Sequence, residues 1–376
     1  MPRRRGARLV FGAVLAVMAV LRWLPVQAAP GAWSGGGPAE PVRAVALSPT
    51  DEQTLLAAGT SGVWRTTTGG AAWQRVAPTL LGASLAYSLL DPNTVFATSA
   101  DGKQVLESAD GGATWTTSFS VAGEGSVSSV LADPNVASRV FASGTGSDGL
   151  AQVWRSLDGG ATWSGVLPAS LNGAGGLSTP LAGPLGALPG QPGFILAGVT
   201  YYHAGGVVSS ADGGSTWQLA YNGALSPLAG ATSLAVGSSI YAGLNVEAAG
   251  SLVRSDDGGA TWTNLTPNLP IGGSPSGGVV AAIAVDPAAP ETVFIAEWDI
   301  ASPRHSGVFE SVDRGASWTE LGHLGPTVSG PDGLVMAPIS RTLHAATDAG
   351  VFDFTLGTAP PPVQAPVAAA AIGNVP

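Results

Sequence analysis

The feature that most constrains this chain is an octapeptide that keeps returning. "SADGGATW" ends at Trp115, "SLDGGATW" at Trp163, "SADGGSTW" at Trp217, "SDDGGATW" at Trp262 and "SVDRGASW" at Trp318, with a degenerate "TTTGGAAW" ending at Trp73. The tryptophans are spaced 42, 48, 54, 45 and 56 residues apart. Such a period is too long for one hairpin and suits a four-stranded sheet repeated around a ring. The text between copies fits that unit. In the third unit "SVSSVLA" reads as a first strand, "DPN" as a turn, "RVFASG" as a second strand and "QVWRS" as a third. "LDGGA" is then a tight Asp-Gly turn into a short fourth strand at "TWSGV". Asp-Gly between β-rich runs is a strong hairpin signal.

The same frame repeats six times, and a seventh unit ("DGLVMAP", "TLHAAT", "GVFDFT") stops before any octapeptide. The missing fourth strand has a counterpart at the other end of the chain, an orphan "GAWSGGG" around Trp33. The sequence therefore predicts an all-β fold, a single seven-bladed propeller of four-stranded antiparallel blades over residues 29–356. Its ring is closed by the N-terminal strand at Trp33, which removes the exposed edges of an open sheet.

Composition agrees. Gly 54 and Pro 29 of 376 residues supply many turns, and only 11% of the chain is charged. With no cysteine, disulfides, thiolate metal sites and a cysteine nucleophile are excluded. Residues 1–28 read as a signal peptide, with Arg3, Arg4, Arg5 and Arg8 before the apolar run Leu9–Leu21 and small residues up to Ala28. This predicts an extracytoplasmic chain, with a membrane partner only if that segment is retained as an anchor. Residues 357–376 form a Pro/Ala-rich tail, expected to be disordered. Residues 1–28 hold five arginines and no acid, so residues 29–376 carry 10 basic and 25 acidic side chains, a net of −15. Lys103 is the one lysine. No basic stripe is available for phosphates, which argues against nucleic acid.

The motif S-x-D-x-G-x-T-W resembles the Asp-box, or bacterial neuraminidase repeat. That repeat is found in propellers of sialidases, xyloglucan hydrolases, sortilin-type receptors and photosystem II assembly factors. The resemblance covers almost all of residues 33–356. Its physical reading is a turn staple: an ionised Asp accepts from the amides of a tight turn, Ser adds a hydroxyl, Gly permits positive φ, and Trp covers the hairpin. The structural set is then Ser108, Asp110 and Trp115; Ser156, Asp158 and Trp163; Ser210, Asp212 and Trp217; Ser255, Asp257 and Trp262; Ser311, Asp313 and Trp318. In the fourth copy the spacing from Ser255 selects Asp257 rather than Asp256. One or two carboxylates per turn are too few for calcium, so no metal and no cofactor are expected.

The resemblance implies that function lies on the opposite face, in the loops joining second to third strands. Those of blades four and six stand out, with Tyr201, Tyr202 and His203 in one, and Glu297, Trp298, Asp299, Arg304 and His305 in the other. Aromatics beside carboxylates and Arg suit a carbohydrate or peptide. The ligand-binding candidates are Tyr201, Tyr202, His203, Trp298, Arg304 and His305; the catalytic candidates are Glu297, Asp299, Glu247 and Asp148. The sialidase triad of arginines and its Arg-Ile-Pro signature are missing. Arg65, Arg155 and Arg254 occupy one third-strand position in three blades and read as repeat features. Xyloglucan hydrolases open with a similar Trp and Gly run but use two propellers and a catalytic Asp on the first blade's second-to-third loop, where this chain has Thr60 and Ser61. His203, His305, His323 and His344 are scattered. The expectation is a monomeric, non-catalytic binding or assembly scaffold for a protein or carbohydrate. The alternative is a divergent glycoside hydrolase using the loops of blades four and six.

Overall fold

A computed structural model describes residues 31–171, 181–200, 205–223, 230–246, 249–270, 278–299, 307–322, 324 and 333–357. Seven four-stranded antiparallel sheets are arranged as a propeller. In blades one to six the strands follow in chain order; blade one, for example, is Val42–Leu47, Leu55–Gly59, Gly62–Thr66 and Gln74–Ala77.

The second strand of each blade shows why the sheets stack. Leu55–Gly59, Val95–Ser99 and Val140–Thr145 are buried at every position. A strand covered on both faces reads as a continuous apolar run, and only a neighbouring blade on either side can cover it so. The apolar clusters accordingly bridge blades. Phe141, Val153 and Leu167 of blade three pack with Ile195, Val208 and Trp217 of blade four. Tyr241 and Leu252 of blade five pack with Val293, Ile295 and Phe309 of blade six.

Four of the seven first strands carry a β-bulge at one recurring place, between Val42 and Ala44, Val127 and Ser129, Ala231 and Ser233, and Val280 and Ala282. Such bulges add twist to the innermost strand. Hydroxyls of first and second strands reach the first strand of the next blade. Ser143 donates to the Gly183 carbonyl at 2.6 Å, and Ser233 to that of Val280 at 2.9 Å.

Blade seven combines both ends of the chain. Gly333–Ala337, Thr342–Thr347 and Gly350–Thr355 take the inner three places, and Trp33–Gly35 forms the outer strand. Trp33 lies opposite Phe354 and Gly35 opposite Phe352, and the Trp33 and Phe354 rings are 5.1 Å apart. The seam with blade one is apolar, with Val42 and Ala57 against Ala346 and Val351 and Trp73 alongside. The truncated seventh unit and the orphan Trp33 segment thus meet as the sequence predicts.

Candidate functional site

Antiparallel order sends first-to-second and third-to-fourth turns to one end of the ring. Second-to-third turns and blade linkers go to the other. The octapeptides occupy the first end. In blade two the Ser108 hydroxyl donates to Asp110 Oδ1 at 2.8 Å and accepts the Gly112 amide at 2.8 Å. Asp110 also accepts the amides of Ala113 and Thr114 and, at 2.6 Å, the Thr114 hydroxyl. Asp158, Asp212, Asp257 and Asp313 repeat the hydroxyl bond from the Thr or Ser four residues on. These donors, the Thr hydroxyl foremost, hold Asp110, Asp158, Asp212 and Asp257 down at about 2. Asp313 also lies below its usual value: burial pushes it up, and Ser317 and Ser311 outweigh that. In blade one Thr66 and Thr68 replace Ser and Asp. The Thr66 hydroxyl accepts the Gly70 amide and the Thr68 hydroxyl that of Ala72.

Two repeat residues also act across blades. The indole of Trp163 donates to Ser118 and that of Trp262 to the Ala220 carbonyl, both on the outer strand of the preceding blade. As the sequence predicts, Trp also covers its own hairpin: the indoles of Trp115, Trp163 and Trp262 donate to the carbonyls of Gly112, Gly160 and Gly259 in their own turns. Arg155 reaches forward, donating to the Gly213 carbonyl at 2.8 Å and to Ser215. Arg254 donates to the Arg314 carbonyl at 2.7 Å. The shared third-strand arginine position is therefore an inter-blade tie.

The opposite end varies from blade to blade. Blade one has a two-residue turn, Thr60–Ser61, between Gly59 and Gly62. The sequence reads no acid there, yet Glu40 from the preceding linker fills the place. Its Oε1 accepts the Ser61 amide, the Ser61 hydroxyl at 2.9 Å and the Trp64 indole at 2.7 Å. Burial pushes Glu40 up, but these donors together hold it below the usual carboxylate value. Sequence reasoning missed Glu40 because its partners are 21 to 24 positions away, with no spacing to mark them. Blade two stabilises its turn similarly: Asp101 accepts the Ser99 hydroxyl and Lys103 amide, while Lys103 Nζ donates to the Gly123 and Gly125 carbonyls. In blade three Asp148 is exposed and accepts the Leu150 amide within its own turn.

Two placements correct the sequence reading. Glu297, Trp298 and Asp299 are not in a loop; they extend the second strand of blade six, opposite Val280, Val279 and Gly278. Glu297 is fully buried, on the same side of its strand as Val293 and Ile295, which face blade five. In blade five the second and third strands pair up to Val246 opposite Ala249. Tyr201, Tyr202, His203, Glu247, Arg304 and His305 lie outside the described residues. The structure therefore brings together no pair of the candidate carboxylates among described side chains. His344 is buried with its Nδ1 2.7 Å from Asp353 Oδ1, at the place held by Leu56, Phe96 and Phe141 in other blades. No group of three metal-binding side chains occurs among the described residues, and no described helix is long and apolar enough to cross a membrane.

Known structures share this architecture. The xyloglucanase of glycoside hydrolase family 74 from Xanthomonas campestris superposes with a TM-score of 0.67 at 20% identity, over 85% of this chain and 53% of that one. YCF48 bound to the D1 peptide gives 0.58 at 12% identity, over 88% and 98%. The Cps50 (Swd1) propeller domain of Myceliophteria thermophila gives 0.59 at 12%, over 85% and 98%. The likeness is one of fold. This chain spans about half the length of the xyloglucanases and nearly all of the single propellers. No protein-family model matches the sequence, and no curated protein matches it.

Proposed function

We propose that this chain is an exported propeller that binds a protein or carbohydrate on its variable face and performs no hydrolysis. The observation that carries this reading is the use made of the described acids on that face. Glu40 is held by three donors of a tight turn, Asp148 accepts an amide of its own loop, and Glu297 is buried inside the sheet. A glycosidase needs two carboxyls facing a shared cleft, roughly 5–10 Å apart. Support for a ligand comes from the aromatic and charged residues at 201–203 and 298–305. A propeller of this fold, YCF48, has been captured with a peptide. Export rests on the basic and apolar segment of residues 3–21, with cleavage after Ala28.

The test is an incubation of the purified chain with xyloglucan and sialylated glycans, beside glycan and peptide arrays. Binding without turnover is the expected result. Turnover that disappears in Asp299→Ala or Glu247→Ala would overturn it in favour of a divergent hydrolase, the reading favoured by the higher structural similarity to the xyloglucanase. Mass spectrometry of the exported chain, starting at Ala29, tests the leader.

A further inference from the structure

Among the described residues, two that are not glycine sit at positive φ: Arg314 at 60° and Arg341 at 56°. An L side chain is strained there. Arg314 stands in the octapeptide turn of blade six, where the other copies place Gly111, Gly159, Gly213 and Gly258 at φ 69° to 73°. Arg341 belongs to the first-to-second turn of blade seven. Both side chains converge on one segment, the first-to-second turn of blade six. Arg314 grips Glu291 with Nε and, at 2.6 Å, with Nη2, while its amide donates to the Glu291 carbonyl. Arg341 pairs from the neighbouring blade with Asp286, a fully buried carboxylate.

The grip extends to blade five. Arg254 donates to the Arg314 carbonyl and pairs with Asp256 at 2.9 Å, and Asp256 also accepts from Ser239 at 2.6 Å. Blade three makes a contrast. Its buried Asp133 is matched by Arg139 from the same turn, at 2.5 Å, so that pair ties nothing to a neighbour in this way. Blade six alone among the described first-to-second turns has both an arginine from the next blade and a strained arginine of its own upon it. Its second strand runs from that turn, through buried Glu297, to Trp298 and Asp299 on the variable face. Six residue steps at about 3.3 Å each span roughly 20 Å.

We propose that Arg314 and Arg341 are positioning residues, clamping the turn at 286–292 and so fixing the hairpin of Gly278–Val285 and Val293–Asp299 that carries Trp298 and Asp299 to the variable face. The value of this for ligand binding rests on the proposed binding role of that face. The clamp itself does not.

Amide hydrogen exchange on the full chain, unliganded, tests it. Arg314→Gly restores the residue four other turns use. If Arg314 were merely tolerated, the change would relieve strain and slow exchange or leave it unchanged. The clamp predicts faster exchange across residues 278–299 in Arg314→Gly and Arg341→Gly, by about tenfold, with the blade-three hairpin of residues 126–145 unchanged. Glu291→Gln weakens the grip without altering the strained backbone and is expected to act in the same direction, so the test survives a variant that fails to fold. Exchange that is unchanged, or that rises equally in every blade, overturns the clamp. Arrays in which the wild-type chain captures no glycan or peptide would overturn the binding reading and leave the exchange result standing.

Discussion

The two ends of this ring use acids in contrasting ways. At the octapeptide end, one solution recurs: Ser and Asp satisfy the amides of a tight turn, and Trp and a third-strand Arg join that turn to its neighbours. At the other end the described turns share less: Glu40 comes from the linker in blade one, Asp101 accepts the amide two residues on and is joined by Lys103 in blade two, and Asp148 makes that amide bond alone in blade three. The lesson is that repetition marks what every blade needs, and every blade needs a closed turn and a seated neighbour. A ligand would need one place only, which is why the proposed binding role is assigned to the face where the repeat fails.

The largest effect expected is at the seam. Deleting residues 31–36 removes the outer strand of blade seven, unpairs Phe352 to Phe354 and exposes Phe354 beside the lost Trp33 ring. Burial of one such aromatic contributes about 1.5–3 kcal/mol, and an unpaired edge invites association. Calorimetry should show a lower, broader transition, with aggregation. Next comes Ser156→Ala. It leaves the buried Gly160 amide without its 2.8 Å acceptor, a loss of about 1–3 kcal/mol, measurable as a shifted denaturant midpoint. Arg155→Ala, which cuts the tie to Gly213 and Ser215, should cost about 1 kcal/mol. Smallest is Asp148→Ala on the variable face, expected within about 0.5 kcal/mol of wild type. A variable-face acid that proved as costly as Ser156 would break the contrast.

Much of this was legible in the sequence. The blade count and the seam came from a repeat that stops one copy short while Trp33 waits unpaired at the other end. The Ser, Asp and Gly roles followed from turn chemistry within eight residues. What depended on distance was not legible. Trp163 and Arg155 look local in the text, but Trp163 also reaches Ser118 in the preceding blade and Arg155 reaches Gly213 in the following one. In "VFIAEWD" a glutamate ends an apolar run and reads as the start of a loop; the strand continues and buries it. Glu40 has no pattern at all, because a linker residue was matched to a turn some twenty positions later.

The pH dependence bears on the same contrast. Asp110, Asp158, Asp212 and Asp257 sit at about 2 in the folded chain against an ordinary 3.8. A carboxylate depressed by folding stabilises above its unfolded value, and that stabilisation is lost as pH falls through the folded value. Four such groups should make stability drop steeply between about pH 4 and pH 2. Carboxyl-carbon NMR titration of these four aspartates is the most direct measurement. Midpoints near 2 for all four would bear out the staple. Midpoints at the ordinary 3.8 would contradict it, because the turns would then be closed without the acids to which their repetition points.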